Sequence, residues 1–102
     1  MKLEITRTTK QKEMVEIELP YYYKHDLMIE EADVVTYGKV EESRCTSIKI
    51  THNYGSYSQA FDLSIEDMPA AAYGSYMTDE YKGDEAEYLA AKAKLMKAAE
   101  YA

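Results

Sequence analysis

Residues 45 to 65 read CTSIKITHNYGSYSQAFDLSI, and this stretch decides the fold. Thr46, Ile48, Ile50 and His52 fall on one side of an extended chain, with Cys45, Ser47, Lys49 and Thr51 on the other, because successive side chains of a strand alternate between faces. Asn53, Tyr54, Gly55 and Ser56 then supply the residue types that close tight turns. After them Tyr57, Gln59, Phe61, Leu63 and Ile65 resume the alternation. Period two on both sides of a turn predicts two antiparallel strands.

Upstream the pattern repeats. Leu3 and Ile5 alternate with Lys2, Glu4 and Thr6; a polar link follows from Thr8 to Lys12; then Val15, Ile17 and Leu19 alternate with Glu16 and Glu18. This predicts a first hairpin. Pro20 cannot donate to a sheet ladder and so ends it or marks an edge, with Tyr21, Tyr22 and Tyr23 continuing in extended form. Lys24 to Asp33 reads as a loop or a single helical turn. Val34 to Val40 is a strand interrupted by Gly38, and Glu41 to Arg44 make a turn.

The periodicity changes after Ile65. Asp67 is placed to cap a short helix with Pro69 in its first turn and Ala70 to Ala72 following. Gly83 separates that piece from the rest. Asp84 followed by Glu87 has the spacing of a capping box, and it opens an Ala-rich helix to about Tyr101. At about 100° per residue, Tyr88, Leu89, Leu95, Met96 and Ala99 share one side, Glu87, Lys94 and Lys97 lie opposite, and Lys92 falls inside the apolar arc. The expected fold is α+β in one domain over residues 1–102. An antiparallel meander of four to five strands fills residues 1–66, and a helical part follows over 67–102. The final helix should cover one sheet face, with Leu95 and Met96 on Ile48, Ile50, Phe61 and Leu63.

Composition bounds the rest. A chain of 102 residues holds one small core. Ile, Leu, Val and Phe number only seventeen, so Tyr, Met and Ala must supply core volume. With so thin an aliphatic core, a homodimer that buries some tyrosines is expected. The net charge is −7, and the acids concentrate in residues 13–42 and 53–87, which also hold nine of the eleven tyrosines. That balance disfavours direct binding to nucleic-acid phosphates or to an anionic membrane. A single cysteine forms no internal disulfide, and no run has the length of a membrane span or the shape of a signal peptide, so the chain reads as cytoplasmic.

Catalytic chemistry finds little support. His25 and His52 are far apart in sequence, and Cys45 and His52 point to opposite faces of one strand, so no metal site is expected. Cys45 has only Lys49 as a candidate base on its own face. Ser56 and Ser58 lack a nucleophile-elbow context, and the four glycines are too scattered for a phosphate loop. No cofactor and no enzymatic activity are expected. His25 reads as a solvated loop residue.

The chemistry on offer is carboxylate plus tyrosine, which suits binding. Glu16, Glu18, Asp79, Glu80, Asp84 and Glu85 are the acids predicted to meet a protein partner with a basic, nucleic-acid-binding surface. Tyr73, Tyr76 and Tyr81 are the aromatics predicted to complete the contact. One alternative is an oligomer that cradles a nucleotide or similar small aromatic ligand between tyrosines, for which only Arg7 and Arg44 could meet phosphates. A third is a self-assembling structural subunit. In size, acidity, Tyr content and sheet-then-helix order, the chain resembles the compact acidic accessory proteins that bacteriophages encode against host enzymes or immune systems, many anti-CRISPR proteins among them. The resemblance rests on no residue motif and carries over no functional residue. It implies a phage-type inhibitor that acts as a nucleic-acid mimic in the host cytoplasm.

Overall fold

The computed structural model describes residues 2–8, 11–56 and 58–100. The placements of Tyr57 in a strand and of Tyr101 at the helix end lie outside the described residues. The fold is α+β. Strands β1 (Lys2–Thr8) and β2 (Gln11–Glu16) pair antiparallel in a sheet of their own. Strands β3 (Tyr21–Ile29), β4 (Ala32–Val40), β5 (Cys45–Asn53) and β6 (Gln59–Glu66) form a four-stranded antiparallel meander in sequence order. Among the described residues, two 3-10 helices, Ala70–Tyr76 and Asp79–Tyr81, precede one α-helix, α1 (Glu85–Glu100).

The first hairpin does not extend the main sheet; the chain turns through a cis Leu19–Pro20 peptide, and the hairpin lies over one sheet face. Residues 24 to 33 are neither loop nor helical turn: β3 runs to Ile29, and β4 begins at Ala32 after a turn at Glu30 and Glu31. The acid at Asp67 does not cap the next helix. Its carboxylate is taken by Arg44, 2.9 Å away, and Pro69 occupies the cap position without a side-chain bond.

Strand register sorts the meander into two faces, because residues directly opposite one another share a side. Tyr22, Lys24, Tyr37, Lys39, Thr46, Ile48, Ile50, Phe61, Leu63 and Ile65 are on the helix side. There Ile48, Tyr88 and Ala91 are buried together, with Tyr22, Tyr37, Ile50 and Leu95 packed around them. The centre of the helix face is therefore Tyr88, Ala91 and Leu95, spaced three and four apart. Leu89 and Met96 lie outside that stripe at 49% and 60% exposure, which corrects the placement of Met96 on the sheet. The small Ala91 lets α1 come close, and Tyr88 fills the space beside it. Half of the predicted capping box is present: the Asp84 Oδ1 accepts the Glu87 backbone N–H at 2.7 Å, while the Glu87 carboxylate pairs with Lys24 at 3.1 Å.

The opposite face holds the larger core. Ile5 from β1, Tyr23, Val40 and Cys45 from the sheet, and Ala70, Tyr73 and Met77 from the 3-10 segment are buried together. Gly38 does not interrupt β4. The strand runs through it because the Tyr23 ring lies flat against its backbone, where a Cβ would fall inside the ring. Glycine is the only residue that leaves room for this core tyrosine.

Candidate functional site: an acidic recess at the start of β3

The chain leaves β2 at Glu16 and passes Ile17 and Glu18 in extended form, so these two acids share one side and point away from the core. The cis proline then swings the chain into β3, which places Tyr21 and Tyr22 beside them. From the other half of the chain, the segment Met77 to Gly83 crosses the outer edge of β3. It is clamped by the Gly83 N–H on the Tyr22 carbonyl at 3.0 Å and by a bridge between Tyr23 and Lys82. Gly83 is required in this clamp, since a Cβ there would come within 2.9 Å of the Tyr23 carbonyl carbon.

Between these segments lies a recess of about 430 Å³ lined by Glu16, Glu18, Pro20, Tyr21, Tyr22, Met77, Thr78, Asp79 and Lys82, among others. Glu16, Glu18 and Asp79 are exposed at it, and among the described residues Lys82 is the one cation in its lining, so these side chains sum to −2. Its aromatic residues are held in place. Tyr22 packs against Tyr88 with ring centroids 5.5 Å apart, and the Tyr21 hydroxyl donates to the Tyr76 carbonyl at 3.4 Å. The site is thus a concave anionic surface with fixed tyrosines at its side.

The sequence-predicted residues divide as follows. Glu16, Glu18 and Asp79 come together in the recess. Glu80 and Glu85 are exposed but do not line it, and the Asp84 carboxylate is occupied as the α1 cap. Tyr76 and Tyr81 are half-buried and belong to an aromatic cluster on the hairpin side of the sheet. Tyr76 stacks on Tyr23 at 4.3 Å, meets Tyr81 edge-on at 5.8 Å, and His25 stands edge-on to Tyr81 at 5.3 Å. His25 is therefore a strand residue within this cluster rather than a solvated loop histidine.

Tyr73 is corrected outright: it is 8% exposed, a core residue that cannot reach a partner. Its hydroxyl is buried and makes no hydrogen bond among the described residues. Burial, reinforced by Cys45 and Glu66 nearby, pushes its phenol up to about 12. Sequence reasoning missed Tyr21, Tyr22 and Lys82. The one available signal was the proline directly before three tyrosines, which marks a fixed change of direction there.

Cys45 is 3% exposed beside the Tyr23 hydroxyl, and burial pushes its thiol up, which keeps it protonated and unreactive. Among the described residues no three His, Cys, Asp or Glu side chains are grouped to hold a metal ion, and no helix is long and apolar enough to cross a membrane. No family model matches the chain, and neither the curated proteins nor the solved structures contain a significant match.

Proposed function

We propose that this chain is a non-enzymatic binding protein that holds a protein partner through the acidic recess, with an arginine or lysine of the partner entering beside Glu16, Glu18 and Asp79. One observation supports this most: carboxylates from opposite halves of the chain converge on one concave site beside rigidly packed tyrosines. A guanidinium suits such a site because it pairs with carboxylates in a planar fork and lies against aromatic rings. Asp79, Glu80 and Glu85 extend the negative surface outward, and a net charge of −7 steers a basic partner from a distance. Tyr76 and Tyr81 add half-buried aromatic area on the neighbouring face.

A basic surface of this kind is what a protein uses to hold nucleic-acid phosphates. An acidic chain seated on it competes with the nucleic acid, which is the inhibitory role that the resemblance to phage accessory proteins implies. The nucleotide-cradling alternative draws less support, because the Arg44 guanidinium is already paired with Asp67.

The test uses the chain as bait in cells of its source, with captured proteins identified by mass spectrometry, beside a folded Glu16→Lys/Glu18→Lys/Asp79→Lys variant. The variant is expected to lose the wild-type partner and to associate with the purified partner at least about tenfold more slowly in low salt. Capture of the same protein at an unchanged rate by the folded variant rules the recess out.

A further inference from the structure

Independently of the recess, we infer that two copies of this chain pair through the outer edge of β6, which joins their meanders into one eight-stranded antiparallel sheet. No described strand covers that edge. The strand is eight residues long, pairs with β5 in unbroken register, and contains no proline, lysine or bulge; its two charges, Asp62 and Glu66, both lie on the face away from α1. On its helix side Leu63 and Ile65 are 54% and 56% exposed, and with Met96 they line an apolar groove of about 370 Å³ beside α1.

The strand's own order of residues selects a second copy as the occupant. A two-fold axis through the sheet leaves each face continuous, so only registers that pair like faces are allowed. Centred on Asp62, such a register sets that acid against itself; centred on Ser64, it sets Asp62 against Glu66 of the other copy twice over. Both are excluded by like-charge opposition. Centred on Leu63, the same strand places Leu63 on its own counterpart and Phe61 against Ile65, with Asp62 facing Ser64 and Ala60 facing Glu66 on the other side. That register uses the strand from residue 60 to its end, continues the apolar face across the axis, and opposes no like charges.

Net charge favours the same face. Among the described residues, the groove beside β6 carries Lys39 and Lys92 against Glu41, a local positive excess that offsets part of the charge of Asp62 and Glu66 on the strand and of the net −7 on each molecule. Salt should therefore tighten this contact by screening the remaining repulsion, whereas it should weaken binding of a cation in the acidic recess.

Light scattering with the full chain across the micromolar range tests the pairing. The wild type is expected to have the mass of two chains, with a dissociation constant that falls as salt is added. Leu63→Asp, which puts like charges against each other on the axis, is expected to halve the mass while leaving the circular dichroism unchanged. A second variant guards against misfolding of the first. Leu63→Cys places two thiols opposite each other at strand-pair spacing, within reach of a disulfide, and is expected to cross-link nearly completely on oxidation. Gln59→Cys, on the same face but away from its own counterpart, should stay monomeric in denaturing gels, and the buried Cys45 does not interfere. A wild type that is monomeric throughout, or a dimer in which Leu63→Cys fails to cross-link, overturns the inference.

Discussion

Adding one methyl group at Gly38 should distort the larger core, and the size of the effect follows from what surrounds it. The Tyr23 ring lies where the new Cβ would go, and the ring is not free to swing aside: Tyr76 stacks on it at 4.3 Å, and its hydroxyl contacts the buried Cys45 sulfur at 3.9 Å. Forcing a methyl group into a packed core costs about 1 to 3 kcal/mol. Disturbing the Tyr23–Tyr76 stack adds about 0.5 to 1.5 kcal/mol. Against this, replacing glycine by alanine in a strand returns roughly 0.5 to 1 kcal/mol of backbone entropy. The net expectation for Gly38→Ala is a loss of about 2 kcal/mol by urea denaturation. In a Tyr23→Ala background the obstruction is gone, and the same Gly38→Ala change should be neutral or stabilising by up to about 1 kcal/mol. The sign therefore reverses between backgrounds. If Gly38→Ala costs the same amount with and without the Tyr23 ring, the proposed packing of the ring on the glycine is refuted.

Three further outcomes follow from the same physics. Leu95→Ala removes a partly buried contact to the Ile48, Tyr88 and Ala91 cluster and should cost about 2 kcal/mol, the low end for such truncations, while Met96→Ala at an exposed position should cost under about 0.5 kcal/mol. Asp84→Ala removes the bond to the Glu87 N–H and should cost about 1 kcal/mol, with Asp84→Asn retaining most of it; equal losses in the two variants would contradict the capping role. Because burial raises the folded-state values of the Cys45 thiol and the Tyr23 and Tyr73 phenols, their contribution to stability is complete below the ordinary thiol range. It is lost as pH climbs above about 9, first from the thiol and then from the phenols. The urea midpoint should fall over that interval, less steeply in Tyr73→Phe, and a midpoint that holds steady would contradict the burial of these groups.

The parts of the fold legible in the sequence are those where one face of an element is buried and the other is wet. Residues 45 to 65 alternate cleanly, and the Asp84 and Glu87 spacing marked the start of α1. Strand β3 was not legible because both of its faces are packed near its start. Tyr21 and Tyr23 point to the hairpin and Tyr22 to the helix, so no alternation appears, and the later run Leu27, Met28, Ile29 is exposed on both sides. Period two announces a strand but not its sheet, so the first hairpin could not be told from a continuation of the meander. The helix wheel favoured large residues and hid the contribution of Ala91, whose small size sets the line of contact. In the candidate site, the acids Glu16, Glu18 and Asp79 were identified singly. Their meeting depends on the cis Leu19–Pro20 turn and on the Gly83 clamp across β3, both tertiary features with no local signature. Tyr73 was misplaced because a tyrosine in an Ala-rich segment looks the same in sequence whether it faces a core or a partner.

The central claim is that the recess accepts a cationic side chain, and a titration of the isotope-labelled protein with a short arginine-containing peptide, followed by amide chemical shifts, measures this directly. Shifts should be confined to Glu16 through Glu18, Tyr21, Tyr22 and Thr78 to Lys82, be lost in a folded Glu18→Lys/Asp79→Lys variant and weaken with added salt. Shifts spread evenly over the acidic surface, or shifts that persist in the variant, would contradict it.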